Sequence, residues 1–495
     1  MLRKIRIVCA SFFFLFITLL FLDFTGTIHA WFGWMAKIQF LPALLALNTG
    51  VVIGLVVLTL LLGRVYCSVI CPLGVFQDIV SWIAGKRKKN RFRYSPALSW
   101  LRYGVLALFL LALLAGIHTF VVLLAPYSAY GRMAACLLAP LYQWGNNLLA
   151  LWAEHLDSYA FYSTEVWMKG ISTFVVSLVT FLLLVILAWR NGRTYCNTIC
   201  PVGTLLGFFA GYAWLKPRIE TSKCIDCGLC ARNCKASCID AKNHRIDYSR
   251  CVGCMDCIEK CHTHAIHYAP AQAGTKTDTP ANGNEVDRSR RRFLSVTSLF
   301  ATTALMKAQE KTVDGGLALI EEKQIPARHT PVSPAGSGGM RHFAQHCTAC
   351  QLCISACPNQ VLRPSSDWER FMQPEISFER GYCRPECTRC SEVCPTGAIR
   401  QITAAEKSSI QTGHAVFIPE NCVVNNDGVS CGNCARHCPS GAIQLVPVSP
   451  DEPESAQLPV VDEERCIGCG ACEYLCPARP FSAIYVEGHE RHKII

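Results

Sequence analysis

Cysteine recurs in this chain on a fixed beat. "CIDCGLCARNC" sets Cys224, Cys227, Cys230 and Cys234 in a C-x2-C-x2-C-x3-C frame, and "CVGCMDCIEKC" repeats it with Cys251, Cys254, Cys257 and Cys261. Four more stretches follow the same plan, each closing on C-x3-C-P. They supply Cys347, Cys350, Cys353 and Cys357; Cys383, Cys387, Cys390 and Cys394; Cys422, Cys431, Cys434 and Cys438; and Cys466, Cys469, Cys472 and Cys476. Of 31 cysteines, 24 fall into these six quartets. In the bacterial ferredoxin run, three close thiolates wrap one iron–sulfur cube and the fourth reaches the other cube of a pair. On that rule one [4Fe–4S] cluster takes Cys224, Cys227, Cys230 and Cys261, and a second takes Cys251, Cys254, Cys257 and Cys234. Lys235 and His262 stand where Pro usually follows the fourth Cys, which softens the turn without removing a ligand.

Other readings of so many thiols fit less well. Structural zinc uses two separated C-x2-C pairs held tetrahedrally, not a third and fourth Cys repeated six times. No C-x-x-C-H occurs, so c-type haem is excluded. A disulfide scaffold wants a short secreted chain, and this one has 495 residues. With little apolar content of their own, such modules fold around their clusters and lose structure without them. In the four-motif block, neighbours could pair. The two regular motifs flank two stretched ones, however, and this favours nesting, first with fourth and second with third.

Apolar residues are distributed quite differently. The first 210 residues hold the long apolar runs and only six Cys. Four segments, 5–22, 42–62, 99–124 and 167–189, approach the roughly 20 apolar residues that cross a bilayer, where only helices close their own hydrogen bonds. Arg3, Lys4 and Arg6 precede the first; Arg64, Lys86, Arg87, Lys88, Lys89, Arg91 and Arg93 follow the second; Arg190, Arg193, Lys216 and Arg218 follow the fourth. The intervening loops 23–41 and 125–166 carry only Lys37 and Arg132 among Lys and Arg. The positive-inside rule then sets the amino terminus, and the thiol pairs Cys67/Cys71 and Cys196/Cys200, in the cytoplasm, and Trp31, Trp34, Trp82 and Trp100 suit the interfacial belts. This explains the net charge of +11 without nucleic acid. No small-residue cleavage site follows Leu22, so the first run reads as an anchor rather than a signal peptide.

Two apolar runs end alike, in "GRVYCSVICPLG" from Gly63 and "GRTYCNTICPVG" from Gly192. Cys67 and Cys71, like Cys196 and Cys200, stand at i,i+4, so on a helical turn each pair faces one way. A mere helix terminator needs Pro and Gly, not two Cys in both copies. The four thiols are therefore candidates for redox or metal duty, as a further cluster or as dithiol/disulfide pairs beside a quinone. Arg64 and Arg193 would lower thiol pKa values or attract a quinone oxygen. Cys9 and Cys136 read as packing, and Cys238 as spare.

Residues 270–287 have the composition of a flexible linker. Next, Ser289-Arg290-Arg291-Arg292-Phe293-Leu294 has the form of a twin-arginine export signal. The apolar run 293–306 would span roughly 21 Å as a helix, short of the bilayer core but suited to a signal h-region. The alternative is a basic patch beside an amphipathic helix. Clusters are assembled in the cytoplasm, so an exported ferredoxin must cross folded, as the twin-arginine route allows.

With these motifs in place, the chain resembles two accessory ferredoxins of periplasmic nitrate reduction joined end to end. Residues 1–270 look like the NapH family, and residues 288–495 look like the NapG/MauM family with its twin-arginine leader internal. The resemblance implies a bacterial inner-membrane protein that links the quinol pool, or a cytoplasmic donor, to a partner reductase in the periplasm. It does no bond-making on a substrate itself, and no flavin or nucleotide motif suggests otherwise. The alternative is a maturation or redox-sensing ferredoxin serving assembly of a respiratory metalloenzyme. The expected architecture is an α-helical membrane domain (1–215) of four transmembrane helices, with a fifth short one if 293–306 inserts. To it are joined α+β bacterial-type ferredoxin domains: a two-cluster domain (216–269), a linker (270–340) holding the twin-arginine segment 288–308, and a four-cluster domain (341–495). About six [4Fe–4S] clusters, and a quinone, are the cofactors implied.

Overall fold

The computed structural model describes residues 2–23, 25–87, 92–158, 161–270, 313–314, 318–319, 323–448 and 455–495. The twin-arginine segment and most of the linker lie outside these residues.

Among the described residues, two helices, Leu2–Leu22 and Ile171–Asn191, are long and apolar enough to cross a membrane. They coincide with the first and fourth expected spans. The second and third runs do not form single helices. The run 42–62 divides into Phe40–Leu45 and Thr49–Leu62, because Leu47 turns to positive φ and the Asn48 side chain caps the Val51 N–H. The run 99–124 divides into Ser99–Ala115 and His118–Leu124 at Gly116, whose left-handed φ of 76° closes the first helix. The stretch 125–166, read from sequence as a loop, is largely helical. Pro126–Met133, a π-turn over Ala134–Leu138 and Ala139–Glu154 follow a 73° bend after His118–Leu124, so that bent pair forms a third candidate span. Its polar residues lower its hydropathy but find partners: Arg132 donates to Val122 O at 2.9 Å, and Asn147 pairs with Thr164. Val8, Phe12, Leu15, Leu108, Leu111, Val179, Leu182 and Ile186 are exposed. Such an apolar outer face calls for lipid around it.

The helices contain a repeat. Thr49–Leu62, Val65–Val69 and Pro72–Arg87 are echoed by Ile171–Asn191, Thr194–Thr198 and Pro201–Ala210. Each long helix stops at a glycine, Gly63 (φ 71°) or Gly192 (φ 72°), in backbone that L side chains rarely adopt. Each short helix then carries the Arg-x-Tyr-Cys motif.

The first thiol-rich domain is closed by antiparallel pairing of Leu215–Ile219 with Ile266–Pro270, around a core in which Cys234, Cys238 and Cys257 pack with Ile239 and Ile266. The second has three antiparallel pairs: Leu362–Pro364 with Pro374–Ile376, Ile410–Phe417 with Ile484–Ile494, and Ile443–Pro447 with Gln457–Val461. The two domains dock at opposite ends of Leu2–Leu22. At its start, Arg3 pairs with Asp256 at 2.7 Å and also with Glu259. At its end, Phe21 shares one apolar core with Tyr127, Cys350 and Cys353. Lys169 Nζ donates to Ile354 O at 3.2 Å, and Thr119 to Trp368 O at 2.9 Å, on that same side.

Candidate functional site

The thiols gather in groups of four. Cys224, Cys227, Cys230 and Cys261 line one cavity of the first domain; Cys234, Cys251, Cys254 and Cys257 line the next. Both groupings match the expectation from spacing. In the second domain the expected nesting is overturned. Cys357 lines one cavity with Cys383, Cys387 and Cys390, while Cys394 lies within electrostatic reach of Cys347, Cys350 and Cys353. Likewise Cys438 interacts with Cys466, Cys469 and Cys472, and Cys476 with Cys434. Neighbouring motifs therefore pair: the connections within each pair fold back on themselves, Leu362–Pro364 on Pro374–Ile376 and Ile443–Pro447 on Gln457–Val461, whereas Ile410–Phe417, between the second and third motifs, pairs with Ile484–Ile494 instead.

The donor set suits iron–sulfur cubes better than zinc. Tetrahedral zinc with bonds near 2.3 Å would draw its sulfurs to about 3.8 Å apart. Among the described residues, only Cys224, Asp226 and His244 bring three possible ligand atoms within 4.8 Å of one another. That trio is the rim of the first cavity, with His244 Nε2 2.6 Å from Asp226 Oδ1. No quartet brings three sulfurs that close together, and three of the quartets line open cavities.

The C-x3-C-P thiols converge too. Cys67, Cys71, Cys196 and Cys200 are all buried and lie within electrostatic reach of one another. The pairs do not ride a single helical turn, as i,i+4 spacing suggested. Cys67 and Cys196 sit inside the short helices, whereas Cys71 and Cys200 lie beyond them, each just before the Pro that opens the next helix. The repeats interlock through their arginines. Arg64 donates to Cys196 O at 3.1 Å and Asn197 Oδ1 at 2.9 Å, and Arg193 donates to Cys67 O at 2.7 Å. A Cβ on Gly74 would come within 2.1 Å of Cys67 O, and one on Gly203 within 2.3 Å of Cys196 O, so only glycine permits this approach.

An ion network ties this centre to the first domain. Asp78 meets Arg193 at 2.8 Å, Arg6 at 2.9 Å and Lys235 at 3.6 Å, and Lys235 also reaches Asp256 at 2.9 Å. Burial alone would raise the Asp78 carboxyl, but Arg193, Lys235 and Arg6 outweigh it and hold it far below the usual carboxylate range. Asp256 is lowered in the same way, burial being overcome mainly by Lys235.

Several residues at these sites were not singled out from sequence. Cys238 Sγ lies 3.5 Å from Cys234 Sγ, inside the second cavity rather than spare. Lys407, 7% exposed, donates to Cys383 Sγ at 3.2 Å and to two carbonyls of the same loop. Cys136 is not inert packing alone, since its Sγ reaches Gln351 Oε1 in the first C-terminal motif at 3.4 Å. Only spatial proximity exposes these roles; none has a motif.

A family model described as a 4Fe-4S binding domain matches residues 46–90 and 173–222, the two copies of the helical repeat. A second, described as a 4Fe-4S dicluster domain, matches 346–398, 382–442 and 429–479. The three windows take in, wholly or nearly so, each successive pair of neighbouring motifs. Among curated proteins, the methylamine utilization ferredoxin-type protein MauM of Methylobacillus flagellatus is 32% identical over 169 residues, covering 32% of this chain and 70% of that protein. MauM of Methylorubrum extorquens is 32% identical over 34% of this chain and 80% of its own length. The ferredoxin-type protein NapF of Escherichia coli K12 is 28% identical over 32% of this chain and 87% of its own. No solved structure matches significantly.

Proposed function

The chain belongs to the ferredoxin-type protein family that includes MauM, and from that premise we propose that it is a membrane-anchored electron conduit, a NapH-like half fused to a NapG/MauM-like half. The 24 thiols of the six quartets bind six [4Fe–4S] clusters, which when bound take up and release single electrons. The observation that carries the reading is the docking of two thiol-rich domains at opposite ends of Leu2–Leu22, a helix of 21 residues and thus about 31 Å long. Four segments anchor the chain: Leu2–Leu22, the interrupted 40–62, Ser99–Ala115 and Ile171–Asn191, with His118–Leu124 and Pro126–Glu154, bent 73° apart, as a re-entrant pair between the last two. The amino terminus and first domain face the cytoplasm; the second faces the periplasm, delivered through the twin-arginine segment. Electrons come from the quinol pool or a cytoplasmic donor and leave to a partner reductase. A cleft of about 1510 Å³ between residues 116–123 and the second domain, lined by His118, Phe120, Leu123, His342 and Trp368 together with four arginines and two glutamates, is the candidate quinol site. Its apolar side suits a ring and tail, and its imidazoles could take up the protons that quinol oxidation releases.

Anaerobically purified protein should be reduced by a soluble quinol, with iron–sulfur EPR signals appearing. If quinol reduces none and deletion lowers the metal content of a respiratory enzyme, the conduit fails and an assembly role replaces it. A reporter fused after Ile495 should be active only in the periplasm and lose that activity with Arg290→Lys plus Arg291→Lys. Activity confined to the cytoplasm in both would end the export reading.

A further inference from the structure

The inner cavity of the first domain holds one thiol more than a cluster needs. Cys234, Cys251, Cys254 and Cys257 line it, and Cys238 lines it with them. Cys238 is 1% exposed, its Sγ lies 3.5 Å from Cys234 Sγ, and it also interacts with Cys251. The outer cavity offers a contrast: Cys224, Cys227, Cys230 and Cys261 line it, and among the described residues no further cysteine does. A buried cysteine often serves as a small apolar filler. A filler at 238 would need only to occupy volume beside Ala236, Ile239 and Ile266, and would not bring its sulfur against two sulfurs of one quartet.

The backbone between the two thiols is held from the side of the membrane half. Phe92 N–H donates to Arg232 O at 3.2 Å, Arg193 N–H to Lys235 O at 2.9 Å, and Ser95 N–H to Ser237 O at 3.3 Å. Asn197 Nδ2 donates to Ala236 O at 3.3 Å, and Asp247 N–H to Cys238 O at 2.9 Å. With these carbonyls tied down the segment keeps its course. Putting one sulfur in the place of the other then needs only rotation about the Cα–Cβ bonds of Cys234 and Cys238.

We infer that Cys238 is a standby ligand of the inner cluster, able to replace Cys234; this rests on the cluster reading above. A thiolate bound to iron carries no proton, so while Cys234 is the ligand Cys238 donates its S–H across the 3.5 Å contact. When the bond between iron and Cys234 Sγ breaks, the proton passes from Cys238 Sγ to Cys234 Sγ and a bond between iron and Cys238 Sγ forms. One thiolate replaces another, so net charge and electron count stay the same and no oxidant or reductant takes part. Cys234 is the ligand that most needs such cover, because it comes from outside the close-spaced three. An iron corner left without a thiolate is the one that escapes, and a second sulfur within reach closes it.

The test is iron and acid-labile sulfide per full-length chain, with EPR, on protein isolated without oxygen. Cys234→Ala should keep the iron and sulfide of wild type and alter one EPR component. Cys261→Ala removes the equivalent ligand of the outer cluster and should lose about one iron per chain or more. Cys234→Ala plus Cys238→Ala should lose as much. A Cys234→Ala protein as depleted as the double variant would overturn the standby, and so would a double variant that keeps all its iron. Should the Cys234 variants fail to accumulate, Cys238→Ala, which retains all four expected ligands, is exposed to air instead. It should shed iron several-fold faster than wild type, and an unchanged rate overturns the inference. Wild type without iron or sulfide would sink the cluster reading itself, an outcome distinct from iron-replete wild type with a depleted Cys234→Ala.

Discussion

Lys407 offers the sharpest test of the cluster sites, because its effect on a redox potential has a fixed sign. Its ammonium donates to Cys383 Sγ at 3.2 Å and is almost fully buried, so solvent screens it little. Replacing it by Met removes a positive charge beside a site that becomes more negative on reduction, so the potential must fall. For a charge roughly 6 Å from the centre of the site, at an effective dielectric of 20, the interaction is about 2.8 kcal/mol. At roughly 59 mV per tenfold for one electron, that corresponds to a drop on the order of 120 mV. Lys407→Arg keeps the charge and should move the same component by less than half as much, which also guards against simple loss of packing where Lys407 bonds Arg384 O and Cys387 O. The assay is a potentiometric EPR titration of the two variants against wild type, each with its iron counted. A full iron complement in Lys407→Met with every midpoint within about 20 mV of wild type, or a midpoint that rises, would refute the placement of Lys407 at a redox centre.

Two further outcomes follow from the geometry. Gly192→Ala and Gly63→Ala both force a side chain into glycine backbone, costing about 1–3 kcal/mol. Only at Gly192 does the new Cβ also meet a carbonyl, Lys235 O at 2.5 Å, so Gly192→Ala should melt at clearly lower temperature in detergent than Gly63→Ala. His492 is half-buried on the terminal strand with Ser333 Oγ 2.9 Å from its Nε2, and burial, aided by His489, pushes its pKa down to about 4. A lowered folded value means the unfolded chain binds more protons, so stability is present above about pH 6.5 and declines as pH falls toward 4. Between pH 7.5 and 5 the loss is about 2 kcal/mol, read as faster amide exchange in Ile484–Ile494, and His492→Gln should flatten that dependence.

What could be read from sequence was what is local. Thiol spacing within a motif is set by a few residues of backbone, so the quartets and the pairing in the first domain were legible. Hydropathy averaged over a window hides single stops, and so Asn48 and Gly116, each plain in the sequence, did not register as breaks in the second and third runs. The same averaging made 125–166 look like a loop, because Arg132, Asn146 and Asn147 weigh against helix in lipid until their partners are known. The convergence of Cys67 and Cys71 with Cys196 and Cys200 was suggested by the repeat, but the exchange of Arg64 and Arg193 between copies is tertiary and leaves no pattern along the chain.

Pairing of neighbouring motifs, rather than nesting, decides the order in which electrons can travel on the proposed reading. Nested motifs would put the last quartet beside the first, against the helices, and bury the exit. With neighbours paired, the site of Cys347, Cys350 and Cys353 meets the bundle, and Cys357 belongs to the site of Cys383. That site touches the next pair directly, through Cys383 N–H to Cys469 O at 2.9 Å. The remaining site, of Cys422, Cys431 and Cys434, is then farthest along the line, and its loop over 425–430 is exposed. An acceptor can reach that end without displacing any helix, which a conduit requires and a nested arrangement would have denied.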